Sequence, residues 1–161
     1  MVFVVAQTDM VFLKSEFQRL AELIDLPQDK YPKFEMPAEP TFDYDDYIVI
    51  EDNHYLFYRG EPQGIFPYVK TDSLDELFYF VFKSITDDLA ESMSIKEYQP
   101  KVEVRRYIWS KQLKLMNQLS PKWSQRLAAN ISEILAKHPP QDGRGDIAKQ
   151  IQLGIYLKNT D

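Results

Sequence analysis

The feature that most constrains the fold is the junction at Ser120-Pro121, where two helix-like segments meet with almost no linker. Residues 101–119 and residues 121–137 each carry apolar side chains at steps of three and four, which is typical of a helix with one buried face. Ser120 supplies a capping oxygen, and Pro121 fits the first helical position, where no N–H is needed. Two helices joined by so short a turn are predicted to pack as an antiparallel hairpin.

Two more helices are predicted before this hairpin. The first runs from Thr8 to Asp25 with one apolar face, and the second follows Ser73, which forms a capping-box pattern with Glu76. The proline-rich residues 27–42 predict a connecting loop. The tail after residue 139 is ambiguous between a helix and a strand, and its spacing favours a helix.

Three strands are predicted between the first and the second of these helices. Residues 47–51 and 54–59 are rich in β-branched and aromatic side chains, and Asp52-Asn53 between them is a good hairpin turn. A third strand is predicted at 65–70, where Pro67 requires an edge or a bulge. We therefore predict an α+β fold in which a small antiparallel sheet of about three strands packs against a mainly helical C-terminal half. One domain is expected over residues 1–161.

The composition excludes several classes of protein. Hydrophobic residues make up 44% of the 161 residues, which is enough for a sizeable core. The absence of cysteine removes disulfides, thiolate metal sites and a cysteine nucleophile. No basic region precedes the apolar N-terminus, and no stretch reaches the length of a membrane helix. A cytoplasmic protein without membrane contact is predicted.

Charge is unevenly distributed along the chain. Residues 1–100 contain 20 acidic and 8 basic side chains, whereas residues 101–161 contain 5 acidic and 11 basic side chains. The net charge of −6 therefore combines an acidic and a basic part. Such a charge asymmetry is informative about binding partners and long-range electrostatic fields, not about the fold. The two parts could also attract each other within the folded domain. Because the chain is acidic as a whole, we do not expect a nucleic-acid partner.

No catalytic constellation is evident. Glycine-rich phosphate loops and nucleophile motifs are absent, and the two histidines, His54 and His138, lack metal-ligand spacing. We expect both histidines to be structural or surface residues, and we expect no catalytic residue, metal or cofactor. Asp87 and Asp88 are interpreted as solvated charge on a helix. An alternative is a small hydrolase that uses loop carboxylates, for example Asp87 or Asp88 with His54.

An acidic stretch with interleaved tyrosines is the candidate partner surface. No basic residue occurs between Lys33 and Arg59. Acidic side chains around aromatic anchors suit a surface that meets a basic protein, because charge raises the encounter rate and rings supply buried contact. The alternative is a solvated loop whose tyrosines pack inward. The candidate residues are Asp43, Tyr44, Asp45, Asp46, Tyr47, Glu51 and Asp52.

Arginine and tryptophan recur in the basic part of the chain. Arg105 precedes Trp109 by four residues, so a cation–π contact on one helical face is feasible. Trp123 is predicted to pack across the hairpin toward Trp109 or Met116. Arg126 can lie beside the Trp123 ring and reach a carboxylate. This pair is interpreted first as part of the scaffold and second as a partner contact.

With these elements in place, the C-terminal part resembles the bacterial immunity protein 63 family of polymorphic toxin systems. The resemblance lies in "DELFYFVF", in the doubled arginine Arg105-Arg106, in the spaced Gln, Trp and Arg of "QLKLMNQLSPKWSQR", and in "ISEILAKHP". It extends over about residues 47–139, and residues 140–161 form a C-terminal extension. The family motif residues are Arg105, Arg106, Trp109, Trp123 and Arg126.

The resemblance implies a non-enzymatic protein that binds a cognate toxin domain and neutralises it by stoichiometric inhibition. A small-ligand or regulatory binding module is a further alternative, which a closed cavity among the many rings would favour. Whether the chain is a monomer or a homodimer stays open.

Overall fold

The computed structural model describes residues 8–37, 45–61, 64–95 and 104–139. In chain order, these residues form helix α1 (Thr8–Leu23), a short 3-10 helix (Gln28–Lys30), strands β1 (Tyr47–Glu51), β2 (His54–Glu61) and β3 (Gly64–Thr71), and helices α2 (Leu74–Ile95), α3 (Val104–Leu119) and α4 (Pro121–Lys137). The predicted α+β class is confirmed. The chain divides into two compact units, with the boundary after Val81, inside α2. The C-terminal extension, with its predicted helix, lies outside the described residues, and the single domain stays a prediction.

The sheet of the first unit has the predicted antiparallel order β1-β2-β3. Tyr47 pairs with Tyr58 and Glu51 with His54, so a two-residue turn joins β1 to β2. The register of β2 against β3 shifts between Phe57 and Tyr58. Pro67 lies in β3 directly beside this shift, on an edge strand, where a missing N–H is tolerated. The prediction for Pro67 is therefore confirmed.

Helix α1 ends in a left-handed turn at Asp25. Asp25 has a φ of 51°, its N–H donates to the carbonyl of Glu22, and the Leu26 N–H donates to the carbonyl of Ala21 at 3.0 Å. This pair of hydrogen bonds is the Schellman motif, in which the left-handed residue is most often glycine. The motif fixes where the chain leaves α1.

Aromatic rings form the core of the first unit. Phe17 of α1 meets Tyr31, Phe34 and Phe78 with ring centroids 5.1, 5.8 and 6.5 Å apart. On the sheet, Tyr68 lies between Phe57 and Phe80, at 5.9 and 6.1 Å, so the first turns of α2 pack on β2 and β3. Edge-to-face contacts of this kind add to the free energy of burial.

The start of α2 follows the predicted cap. The Glu76 N–H donates to the Ser73 hydroxyl at 3.2 Å, and the Ser73 N–H donates to the Thr71 hydroxyl at 3.0 Å. Thr71 is the last residue of β3, so this chain of hydrogen bonds ties the end of the strand to the start of the helix.

The second unit contains the predicted antiparallel hairpin of α3 and α4. Ser120 alone connects the helices, and its hydroxyl accepts a hydrogen bond from the Trp123 N–H at 3.4 Å. Ser124 is buried and donates to the carbonyl of Leu113 on α3 at 3.2 Å. The buried apolar side chains of the hairpin are Leu113, Met116, Leu119, Trp123, Leu127, Ile131 and Leu135.

Candidate functional site

The turn between β1 and β2 holds two acidic side chains at one end of the sheet. Asp52 and Asn53 both have positive φ, 49° and 64°, as a type I′ hairpin turn requires. The carbonyl of Asp52 lies 2.8 Å from Nδ1 of His54, and because a carbonyl only accepts, Nδ1 of His54 carries the proton. Glu51 and Asp52 are exposed on this ordered turn.

Two more carboxylates lie at the same end of the sheet. Thr71 at the end of β3 pairs with Tyr55 of β2, so Asp72 follows directly beside the turn. Asp75 lies in the first turn of α2, and both residues are exposed. We name Glu51, Asp52, Asp72 and Asp75 the acidic sheet end. With neighbouring strands about 4.8 Å apart, β1 and β3 separate its outer members by about 10 Å.

Each of the four side chains of the acidic sheet end is a carboxylate. Lys70, two residues before Asp72, is the nearest basic residue along the chain from that aspartate. The sequence pattern indicated Glu51 and Asp52 but not Asp72 and Asp75, because only the pairing of β3 with β2 brings the end of β3 to the hairpin turn. The signal that could have found them is the strand-to-cap sequence "KTDSLDEL".

Glu51 also contacts Tyr58 on the same face of the sheet. Side chains alternate along a strand, so Glu51, Val49 and Tyr58 share one face. The Tyr58 hydroxyl donates to the Glu51 carboxylate at 3.4 Å. Burial first, and then the charge and hydrogen bond of Glu51, raise the pKa of the Tyr58 phenol. The phenol therefore stays protonated and able to donate at neutral pH.

The remaining predicted acidic residues lie at the other end of β1 and have structural contacts. Asp45 forms an ion pair with Lys33. The Asp46 carboxylate accepts a hydrogen bond from the Gly60 N–H at 3.1 Å, and its carbonyl accepts one from the Lys33 N–H at 2.8 Å. These contacts join the segment before β1 to the end of β2.

Tyr47 packs inward. Its side chain is only 2% exposed, so it contributes to the core of the first unit, as the alternative interpretation of the acidic stretch has it. Asp43 and Tyr44 lie outside the described residues. The predicted partner segment is therefore not one continuous surface, because β1 separates Asp46 from Glu51 by about 17 Å.

In the second unit, the spaced Gln, Trp and Arg converge on one turn of α2. Trp123 is 6% exposed and stacks on Phe82 with ring centroids 6.2 Å apart and an interplanar angle of 22°. Nε2 of Gln112 donates to the carbonyl of Lys83 at 3.0 Å, and Gln112 is also buried. Arg126, one turn after Trp123, is exposed near Lys83. Gln112 and Trp123 thus attach α3 and α4 to α2.

Arg105 joins the two ends of the hairpin. Its guanidinium carbon lies 5.4 Å from the centroid of the Trp109 ring, which confirms the predicted cation–π contact. Nη1 and Nη2 of Arg105 donate to the carbonyls of His138 and Pro139 at 2.8 and 3.4 Å. Arg105 therefore binds the carbonyl of the C-cap residue of α4, His138, and that of the next residue, Pro139. The Arg106 side chain lies outside the part of the chain that the structure describes.

The described residues form neither a candidate metal site nor a membrane-spanning helix. Within them, no group of three histidine, aspartate or glutamate side chains is placed to hold a metal ion. The helices that the structure describes include none that is long and apolar enough to cross a membrane.

Comparison with known proteins places the chain in a family. Residues 54–133 match the model of the family described as Immunity protein 63, a span that runs from β2 to the last turns of α4. This region of the chain belongs to the immunity protein 63 family. Neither a curated protein nor a solved structure matches the chain.

Proposed function

We propose that the chain is an immunity protein that acts in the cytoplasm, binds a cognate toxin domain and neutralises it by stoichiometric inhibition without turnover. The observation that carries this proposal is the family match over residues 54–133. The matched region contains two of the three strands and the helices that the Gln-Trp-Arg motif joins. Such a scaffold supplies a rigid shape against which a partner binds with little loss of conformational entropy.

The contact surface that we propose is the acidic sheet end. Four exposed carboxylates on a type I′ turn, a strand end and a helix start create a local negative potential. A potential of this sign accelerates encounter with a basic surface such as the cleft of a nuclease. Tyr58, hydrogen-bonded to Glu51, lies at the margin of this surface and offers a half-buried ring and a hydroxyl. Inhibition then follows from occlusion of the toxin's basic site.

Association kinetics with the cognate toxin, identified from the neighbouring reading frame, test the contact surface. The variant Asp52→Asn/Asp72→Asn keeps side-chain shape and removes two charges from the acidic sheet end. We expect its association rate constant to fall about tenfold at low salt and to approach the wild-type value at high salt. The matched control Asp29→Asn/Glu35→Gln removes two exposed charges from the segment between α1 and β1 and should stay within about twofold of wild type. Equal effects of both variants would remove the acidic sheet end from the proposal.

Co-expression tests the function itself. Cells that produce the toxin should survive only when this chain is present, and purified toxin should be inhibited in proportion to the amount of chain added until a one-to-one ratio is reached. Inhibition at strongly substoichiometric ratios would indicate turnover and would contradict the proposed mechanism.

A further inference from the structure

Helix α1 exposes several large apolar side chains. Of the seven large apolar side chains that are exposed among the described residues, three lie on α1, namely Val11, Phe12 and Leu23. Phe12 is 54% exposed and Leu23 is 49% exposed, although α1 already buries another face, which carries Leu13 and Phe17, in the core. Exposed apolar side chains grouped on one element are typical of a surface that binds another protein.

Phe12 and Leu23 belong to one stripe of α1 that also contains a charge pair. Phe12, Glu16, Arg19 and Leu23 follow one another at steps of four, three and four residues, which places them within an arc of about 60° around the helix. We name these four residues the α1 stripe. Nη2 of Arg19 donates to Oε2 of Glu16 at 3.0 Å, and neither side chain forms an ion pair elsewhere in the described part of the chain.

The order of these residues makes the α1 stripe complementary to itself. From either end the stripe is apolar, charged, charged and apolar, and the two charges have opposite sign. When two copies of α1 pack antiparallel, Phe12 of each copy faces Leu23 of the other, and Glu16 of each copy faces Arg19 of the other. A parallel pair would instead place like charges opposite each other, which is unfavourable. The charge pattern therefore favours a second copy of this chain as the partner of the stripe.

We propose that the chain forms a two-fold symmetric homodimer in which the α1 stripes of two copies pack antiparallel. The apolar contact of Phe12 with Leu23 supplies the affinity, because exposed ion pairs contribute little. The Glu16 and Arg19 side chains of the two copies form an alternating cluster of four charges, which selects the partner and the orientation. Each copy contributes one helix of 16 residues, which is about 24 Å long. Such a contact is smaller than a standard interface, so the dimer is reversible, with a dissociation constant in the micromolar range.

The other charged residues of this region lie outside the stripe. Lys14 lies over the Phe34 ring at 5.8 Å, on the side of α1 that faces the segment after the helix. Glu22 is exposed about 90° around the helix from the stripe. Asp9 and Asp25 lie at the two ends of α1, where the antiparallel arrangement brings acidic residues of the two copies toward each other. These like charges oppose association and are a second reason for a weak dimer.

Sedimentation velocity of the full chain over a range of concentrations tests the dimer without any toxin, since the dimer does not rest on the proposed function. We expect a reversible monomer–dimer equilibrium for the wild type. Phe12→Ser should weaken dimerisation at least about tenfold, because symmetry removes the ring from both copies. The matched control Met36→Ser removes an apolar side chain that is exposed outside α1, and it should leave the dissociation constant within about twofold.

Charge variants test whether the partner is a second copy. Glu16→Arg and Arg19→Glu each make the stripe a single sign, so each protein alone should dimerise about tenfold more weakly at low salt. Mixed in equal amounts, these two proteins should form a heterodimer, because a basic stripe then faces an acidic one. The double variant Glu16→Arg/Arg19→Glu restores opposite signs and should dimerise like the wild type. Lys30→Glu, exposed outside α1, is the charge control and should change the dissociation constant no more than about twofold.

A wild-type chain that stays monomeric at every concentration would overturn the proposed dimer. Equal losses in Phe12→Ser and Met36→Ser, or mixed charge variants that do not associate, would overturn it as well. If the wild type is monomeric and Phe12→Ser weakens the toxin complex, the α1 stripe binds the toxin in place of a second copy. Failure of cell protection by a chain that dimerises as expected would contradict only the proposed function.

Discussion

The stack of Trp123 on Phe82 is predicted to be a main source of stability in the helical unit. Trp123 is 6% exposed and Phe82 is fully buried, so truncation of either ring leaves a large cavity. Replacement of a buried Trp or Phe by Ala costs about 3–5 kcal/mol. Against a typical total of about 5–15 kcal/mol, Trp123→Ala should remove at least about a fifth of the free energy of unfolding.

A double-mutant cycle separates the stack from general burial. The two rings contact each other, so the double variant Phe82→Ala/Trp123→Ala should cost less than the sum of the single variants by about 1 kcal/mol. Urea denaturation followed by far-ultraviolet circular dichroism gives all four free energies without relying on tryptophan fluorescence.

Trp109 is the matched control. It is half-exposed and contacts Arg105 through its ring, so Trp109→Ala should cost less than about 2 kcal/mol. If Trp123→Ala costs no more than Trp109→Ala, or if the two single costs add fully in the double variant, the stack does not hold α4 to α2 in the way described.

Three further predictions concern single positions. Ser120→Ala should lower the free energy of unfolding by about 1 kcal/mol, because the cap on the Trp123 N–H is lost; an unchanged urea midpoint would contradict the cap. Asp25→Gly should raise the free energy of unfolding by about 1 kcal/mol, since Asp25 has positive φ and places a negative charge at the end of α1. A lower melting temperature would refute this. The raised pKa of Tyr58 makes the folded state hold the phenol proton more tightly, so stability should fall as pH rises from 10.0 through the folded-state value. This loss should be absent in Tyr58→Phe, and parallel curves of stability against pH for the two proteins would exclude the Tyr58 contribution.

Local signals in the sequence were sufficient for most of the fold. The Ser120-Pro121 start, the Ser73 cap and the Asp52-Asn53 turn each act within a few residues, and the structure contains all three. The position of Pro67 could also be predicted, because a residue without an N–H is confined to an edge strand or a bulge.

Packing between residues distant in the sequence could not be predicted from local patterns. Trp123 was expected against Trp109 or Met116 of the hairpin, but its stacking partner is Phe82 on α2, and spacing within α4 holds no information about that helix. The contact with Trp109 or Met116 stays a prediction.

The acidic stretch shows the same limit in the sheet. Asp45 and Asp46 lie close to Glu51 in the sequence, yet an extended strand separates them in space. Asp72 is distant in sequence and joins the turn through strand pairing. Which carboxylates share a surface depends on register, and no local pattern specified it.

The single-residue connection between α3 and α4 has a consequence for the order of folding. Contacts across this hairpin join residues close in sequence, such as Ser124 and Leu113, so their loop-closure entropy is small. Proteins or segments rich in such contacts fold fast. We therefore expect the hairpin to be formed in the transition state of the helical unit, so that Ser124→Ala slows folding while leaving the unfolding rate nearly unchanged. In that case the helical unit forms from its C-terminal hairpin, and α2 packs onto it afterwards.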